Sequence, residues 1–298
     1  TRVFNEMITI FSTAKDFIGE DKIRQENALN SWRSVSDEIE IIIFDKSQGT
    51  EKASKKINAV YVPNIELSSY GTPILSDLFK RANQIAKFST LCYINADIIL
   101  PDNFLSAIQI AQQTLRKFLM VGYRWDIENN KLINFFDVEE KKKFWDNAIK
   151  YSKKQTCSFI DYFIFKKNQL GKIPNFTMGF PGYDNWMIWN ARRKLIPVLD
   201  ASELIQVIHQ NHDVPVYEKK GHSKPIKRND NVNKPLHKDN VLNLLDCTHS
   251  IKNGRVERNN EEEAKIRYWY KLEKIFPELS IPIKLYRRAI INSFYFNK

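Results

Sequence analysis

The chain is poor in cysteine, with only three among its 298 residues. Cys92, Cys157 and Cys247 lie far apart, match no metal-binding spacing and are too few for a disulfide scaffold, so a reducing, cytoplasmic setting is expected. No apolar run approaches the roughly 20 residues of a membrane-spanning helix, and no signal-peptide pattern opens the sequence. Acidic residues are outnumbered, 35 Asp and Glu against 46 Lys and Arg, which leaves a net charge of +11. With 43% hydrophobic and 12% aromatic residues the chain is not disordered, and it is long enough to bury a substantial core.

The positive charge is placed late. From Tyr217 to Asp239 there are seven Lys and Arg against three acids, and from Ile251 to Lys298 eleven against six. Such a surface suits a polyanionic partner, whether nucleic acid, anionic lipid or a phosphorylated ligand, or it is a solvated face.

Strand and helix patterns alternate through the first half. Strands are predicted over Met7–Phe11, Ile39–Phe44, Ala59–Val62, Leu91–Ile94 and Phe118–Val121, with helices over Asp21–Val35, Ile74–Lys87 and Asn103–Lys117. Near-continuous apolar strands separated by helices predict an α/β fold with a mostly parallel, Rossmann-like central sheet covered on both faces. Further on, the pattern predicts a helix over Glu139–Tyr151, a strand over Phe159–Phe165 and a helix over Tyr183–Lys194. Short strands over Pro197–Asp200 and Glu203–Ile208 follow, then a polar, turn-rich His209–Asp239 that is mobile or ordered by a ligand. The last 35 or so residues read as helical. Two regions are expected: a domain over 1–250, with halves near 1–125 and 126–250, and a helical C-terminal extension over 251–298.

One stretch stands out. In "LCYINADIIL", residues 91 to 100, an apolar run stops for Asn95-Ala96-Asp97 and resumes. A buried unpaired carboxylate costs several kcal/mol, so the strand ends there or something compensates. Strand ends are where parallel α/β sheets place ligand chemistry. A carboxylate turning out of a strand end can ligate Mg²⁺ or Mn²⁺ beside a diphosphate, or it can cap a turn.

Further along, "ITIFSTAKDF", "QENALNSW", "YGTPILSDLF", "DYFIFKK", "GYDNWMIWNARR" and "IHQNHD" follow in order around that run. Together, over residues 7 to about 250, this set resembles GT-A-fold glycosyltransferases of a family-2-like bacterial branch, whose D-x-D motif follows the fourth strand. The resemblance implies a GT-A fold, a nucleotide-diphosphate sugar donor, a Mn²⁺ or Mg²⁺ ion, and a carbohydrate or lipid-linked acceptor in cell-surface polysaccharide or glycolipid synthesis. This chain departs from the motif at its first position, which is Asn95. Only Asp97 is an anionic ligand there, and Asn95 is left a ribose or metal contact through its amide oxygen.

Each candidate has two readings. Ser12 and Thr13 end the first strand, as base or ribose contacts or as a helix cap. Asp45 ends the second strand, where GT-A enzymes hold the nucleoside, or it forms a turn with Gly49. Gly71 and Thr72 precede Pro73 and a helix, whose amides and dipole face a phosphate, unless Pro73 simply starts the helix. Asp184 follows Gly182, and the resemblance makes it the base that takes the acceptor proton; the other reading is a helix-dipole partner.

His209-Gln210-Asn211-His212-Asp213 is a candidate metal cluster or a polar turn. GT-A enzymes often complete the metal shell with a late histidine. In an extended run His209 and His212 point to opposite faces, so His212 is favoured and His209 is the second choice. Asp126, Asp161 and the Asp246–His249 run also stand at family-like positions, with His249 a further diphosphate or metal candidate.

Two other classes are open: a nucleotidyltransferase, though "FSTAKDF" lacks the expected Gly-rich basic loop, and a nucleic-acid-binding protein, for which aromatics interleaved with basic residues occur only near Arg267–Lys271. Nucleic acid is not the favoured partner. The tail "PIKLYRRAIINSFYFNK" puts Ile283, Tyr286, Ile290 and Phe294 on one helical stripe among basic residues, either lying on the inner face of an anionic membrane or packing back on the domain.

Overall fold

The computed structural model describes residues 7–212, 216–217, 226–227 and 231–296, with side chains to 288. In chain order the elements are β1 (Ile8–Thr13), α1 (Gly19–Val35), β2 (Glu40–Phe44), α2 (Thr50–Lys56), β3 (Val60–Val62), α3 (Leu75–Ile85), β4 (Thr90–Ile94), β5 (Ile98–Ile99), α4 (Phe104–Thr114), β6 (Leu119–Val121), β7 (Arg124–Ile127), α5 (Val138–Tyr151), β8 (Lys153–Lys154) and β9 (Tyr162–Lys166). Then come α6 (Tyr183–Arg193), β10 (Val198–Asp200), β11 (Val207–Gln210), β12 (Val216–Tyr217), β13 (Ile226–Lys227), α7 (Lys234–His237), β14 (His249–Lys252), β15 (Arg255–Arg258), α8 (Glu262–Ile275) and α9 (Ser280–Phe296).

Nine strands form the main sheet in the order β15-β14-β10-β6-β9-β4-β1-β2-β3. All neighbours are parallel except those involving β9 and β15. The mostly parallel, helix-flanked sheet and the helical C-terminal segment are the architecture the sequence predicts.

The apolar strands explain the layering, because successive side chains point to opposite faces. Ile8, Ile10, Ile41, Ile43, Cys92 and Ile94 pack with Leu29 and Trp32 of α1 and Phe104 and Ile108 of α4. Phe11, Ile42, Phe44, Leu91 and Tyr93 pack with Leu78 and Phe79 of α3 and Met187 and Ile188 of α6 on the other face. Both faces are buried, so these strands carry no polar alternation.

Several elements were not expected. The turn after Asp45 contains α2, the segment after β6 contains β7, and residues 249–258 form the β14–β15 hairpin. The main sheet therefore continues past residue 250, and the helical extension starts at Glu262. The strand expected over Glu203–Ile208 instead lies at Val207–Gln210. It joins a second sheet, β5-β11-β7-β8, which carries part of the site described below.

The extension is docked: Ile275 is fully buried, and the Trp189 indole and Arg193 guanidinium donate to the Lys274 and Ile275 carbonyls at 3.1 and 3.0 Å. In α9, Ile283 is buried and the Tyr286 ring lies 4.8 Å from that of Trp269, so this part of the predicted stripe packs back on α8. The side chains of Ile290 and Phe294 lie outside the described residues. Among the described residues no helix is long and apolar enough to cross a membrane.

Gly122, just after β6, is where a single methyl is expected to matter. A Cβ there would come within 2.3 Å of the Tyr162 hydroxyl and 3.0 Å of the Ser202 hydroxyl. Tyr162 is fully buried and has nowhere to retreat. Gly122→Ala should cost about 1–3 kcal/mol of stability, read as a lower midpoint in thermal or urea unfolding.

Candidate active site

The turn that interrupts the apolar run leaves the sheet at the carboxyl end of β4. Its backbone is held at three points: Asn95 N donates to Asp161 O at 3.1 Å, the Trp32 indole to Ile98 O at 2.8 Å, and the Gln210 side-chain amide to Asp97 O at 3.1 Å. The Asp97 carboxylate is thereby aimed at a fixed point beside a cavity of about 380 Å³, which Thr13, Lys15, Asn95, Asp161, Tyr183, His209 and His212 help to line.

Both histidines reach that point. His212 Nε2 is 3.3 Å and His209 Nε2 3.7 Å from Asp97 Oδ2. One ligand atom from each of the three residues can be chosen so that all lie within 4.8 Å of one another. The expectation that the two histidines diverge is corrected here. Alternation holds only while the chain stays extended in a strand, and β11 ends at Gln210, so His212 swings back to the His209 side. Asp213 lies outside the described residues, as does most of the stretch from 213 to 230.

The electrostatics follow from this packing. Burial alone would raise the Asp97 pKa, but His209, His212 and Lys15 outweigh it and hold the carboxyl well below the usual range. Burial likewise works against charge on His209, yet Asp97 and Asp126 raise its pKa. Asp97 Oδ1 is buried without a hydrogen-bond partner. A carboxylate with an orphaned oxygen between two imidazoles is a ligand set that fits a divalent cation.

Known proteins were compared with this chain. No protein-family model matches it, and no curated protein matches it. Among solved structures it is similar to residues 1–349 of TarS from S. aureus, at 12% identity and TM-score 0.43 over 71% of this chain and 59% of that one. It is similar to the mannosyltransferase PcManGT from Pyrobaculum calidifontis in complex with GDP-Man and Mn²⁺, at 14% identity and TM-score 0.44 over 74% and 59%. A third is glucosyl-3-phosphoglycerate synthase from Mycobacterium tuberculosis in complex with Mg²⁺ and uridine diphosphate, at 13% identity and TM-score 0.41 over 70% and 73%. The match thus spans less than two thirds of the first two solved chains. Those ligands belong to those proteins.

The other expected residues divide. Thr13 and Thr72 line the cavity. Ser12 does not: it is fully buried and its hydroxyl donates to Ile94 O at 2.5 Å, tying β1 to β4. Asp45 is also outside the cavity lining. Its Oδ1 accepts from the Ser47 amide at 2.9 Å and hydroxyl at 2.8 Å, the turn reading, and burial raises its pKa.

Gly71 sits at φ 76° in a turn and does not line the cavity. Pro73 precedes the N-cap Ile74 rather than opening α3. The Ile74 and Leu75 amides already donate to the Glu66 and Phe176 carbonyls, so neither is offered to a phosphate. His249 begins β14 and lines a different cavity, with Arg192 and Trp269.

Asp184 is in the first turn of α6, half-buried, with Oδ1 accepting from the Asn185 amide at 2.9 Å and the Gly182 amide at 3.3 Å. It is one residue on from Tyr183, which lines the cavity. Asn95 is not turned toward Asp97's partners. Its Oδ1 accepts from the Tyr93 hydroxyl and its Nδ2 donates to Asp161 Oδ1, both at 2.7 Å.

Sequence reading missed Lys15 and Arg124. Arg124 carried a signal, since Arg124 and Asp126 flank Trp125 at i, i+2 and so share one strand face.

Proposed function

We propose that this chain is a nucleotide-sugar-dependent glycosyltransferase, on the GT-A plan that its sequence resembles. The observation that carries the reading is the convergence of Asp97, His209 and His212 beside a cavity at the carboxyl ends of β1 and β4. Asp97, His209 and His212 would hold Mn²⁺ or Mg²⁺. Bound there, such an ion supplies Lewis-acid neutralisation of the charge on a departing diphosphate. Thr13 and Lys15, which follow β1 into the cavity, would contact the donor, and Lys15 adds positive charge against its phosphates.

Asp184 would accept the proton of the acceptor hydroxyl as that oxygen bonds to the anomeric carbon and the bond to diphosphate breaks. This role belongs to a transfer that inverts the anomeric centre. A glycan or lipid-linked acceptor, made into a cell-surface polysaccharide or glycolipid in the cytoplasm, completes the reading.

The test is a thermal-shift screen of UDP- and GDP-sugars with Mn²⁺, with Mg²⁺ and with EDTA. At 100 times its Kd a ligand adds about 2.7 kcal/mol. One donor should raise the melting temperature with metal and lose most of that shift in EDTA. If no nucleotide sugar shifts the melt under any metal condition, the reading fails.

The acceptor side motivates one further expectation. The outward face of α9 carries Ile281 and Leu285, 72% and 63% exposed, beside Lys284 and Arg288. An apolar ridge with flanking cations suits the surface of an anionic bilayer. Wild type should pellet with anionic vesicles and not with neutral ones, and Ile281→Ser/Leu285→Ser should stay in the supernatant. Equal pelleting of the two proteins would leave that ridge without a membrane role.

A further inference from the structure

The metal reading of this site rests on three ligands, and the residues behind them form a continuous chain of contacts. His209 has two ring nitrogens with different neighbours. Nε2 faces Asp97, while Nδ1 lies 3.2 Å from Asp126 Oδ1. Asp126 is held in turn by Arg124, whose Nε is 2.9 Å from Asp126 Oδ1. Arg124 Nη1 also donates to both oxygens of Asp161, at 3.2 and 3.0 Å. Asp161 takes the Asn95 amide, and Asn95 takes the Tyr93 hydroxyl.

This arrangement comes from strand pairing. β7 runs parallel to β11 with Asp126 opposite His209, so the carboxylate and the ring sit side by side on neighbouring strands. Arg124 and Asp126 share a face of β7, which lets one guanidinium neutralise Asp126 and Asp161 together. Burial works against the Arg124 charge, and these two carboxylates overcome it.

Two consequences follow for a bound ion. A histidine that ligates through one nitrogen is oriented by the acceptor that holds the other, and such acceptors typically change metal affinity 10–100-fold. Asn95 is also withdrawn. Its carbonyl oxygen is occupied by Tyr93, and a carboxylate at this position would face that of Asp161 at hydrogen-bonding distance, which like charges oppose. The protein's share of the shell is then one carboxylate and two imidazoles.

We infer that Asp126, clamped by Arg124, is the positioning residue that presents His209 Nε2 to the metal. The inference deepens the glycosyltransferase reading and rests on its metal site.

The experiment uses the full chain with metal ions alone. Binding of Mn²⁺ is followed by loss of the free-ion paramagnetic resonance signal, with Mg²⁺ as competitor, and Co²⁺ is added separately to read its visible bands. Asp126→Ala should weaken Mn²⁺ 10–100-fold and shift the Co²⁺ bands. Asp126→Asn, which keeps an oxygen beside Nδ1 but not the charge, should fall between wild type and Asp126→Ala and keeps the test decisive if the alanine variant does not fold. Wild-type Mn²⁺ affinity in both variants overturns the inference while the metal site stands. A wild type that binds none of the three ions removes the site itself.

Discussion

Asp97→Ala is expected to lose all metal-dependent stabilisation by a nucleotide sugar and to keep its fold. The carboxylate sits in a turn, partly exposed, and is not among the residues that form the two main cores. What the structure needs from residue 97 is its backbone carbonyl, which accepts from Gln210 and survives the substitution. What the site needs is the side chain, the only carboxylate in the three-ligand cluster. With alanine there, His209 keeps Asp126 as its neighbour, and two imidazoles with no carboxylate between them remain to face a divalent ion. The roughly 2.7 kcal/mol that a donor at 100 times its Kd supplies to wild type should vanish with Mn²⁺ present, while the ligand-free melting temperature changes little. A mutant that gains as much as wild type from donor plus Mn²⁺ would show that Asp97 is a turn residue.

The second large effect concerns turnover alone. Asp184→Asn should lower kcat by roughly 10²–10⁴-fold, the usual scale for a general base, and leave the donor-induced thermal shift in place. The substitution separates the two roles of the residue cleanly. Oδ1 accepts from the Gly182 and Asn185 amides, and an asparagine oxygen does the same, so the start of α6 is preserved. Only the capacity to take a proton is removed. Turnover close to wild type in this variant would reduce Asp184 to its part in the α6 first turn.

Several features were legible from residue pattern because they are local. The apolar runs of β1, β2 and β4 are too continuous to face water on either side, which requires helices on both faces. The break at Asn95–Asp97 marks the strand end because a carboxylate cannot stay in that run. Ser12 and Asp45 show why such positions carry two readings: polar groups at strand ends bond to neighbouring groups of the protein as readily as to ligands, and here Ile94 and Ser47 take them. The pattern also missed β7, because Arg124-Trp125-Asp126-Ile127 alternates polar and apolar over only four residues, too short a run to stand out.

By itself the sequence determined most strands of the main sheet and the long helices between them, the faces they bury, and the placing of one carboxylate in a turn beyond β4. Tertiary structure decided which side chains meet it. His209 stands beside Asp97 because β5 pairs with β11 in the register that sets Ile98 opposite His209. Asp126 stands beside His209 because β7 pairs with β11. Periodicity reports which way a side chain points relative to its own strand, over a few residues. The register between strands eighty or more residues apart is chosen by the packing of the whole second sheet, and no local pattern carries it.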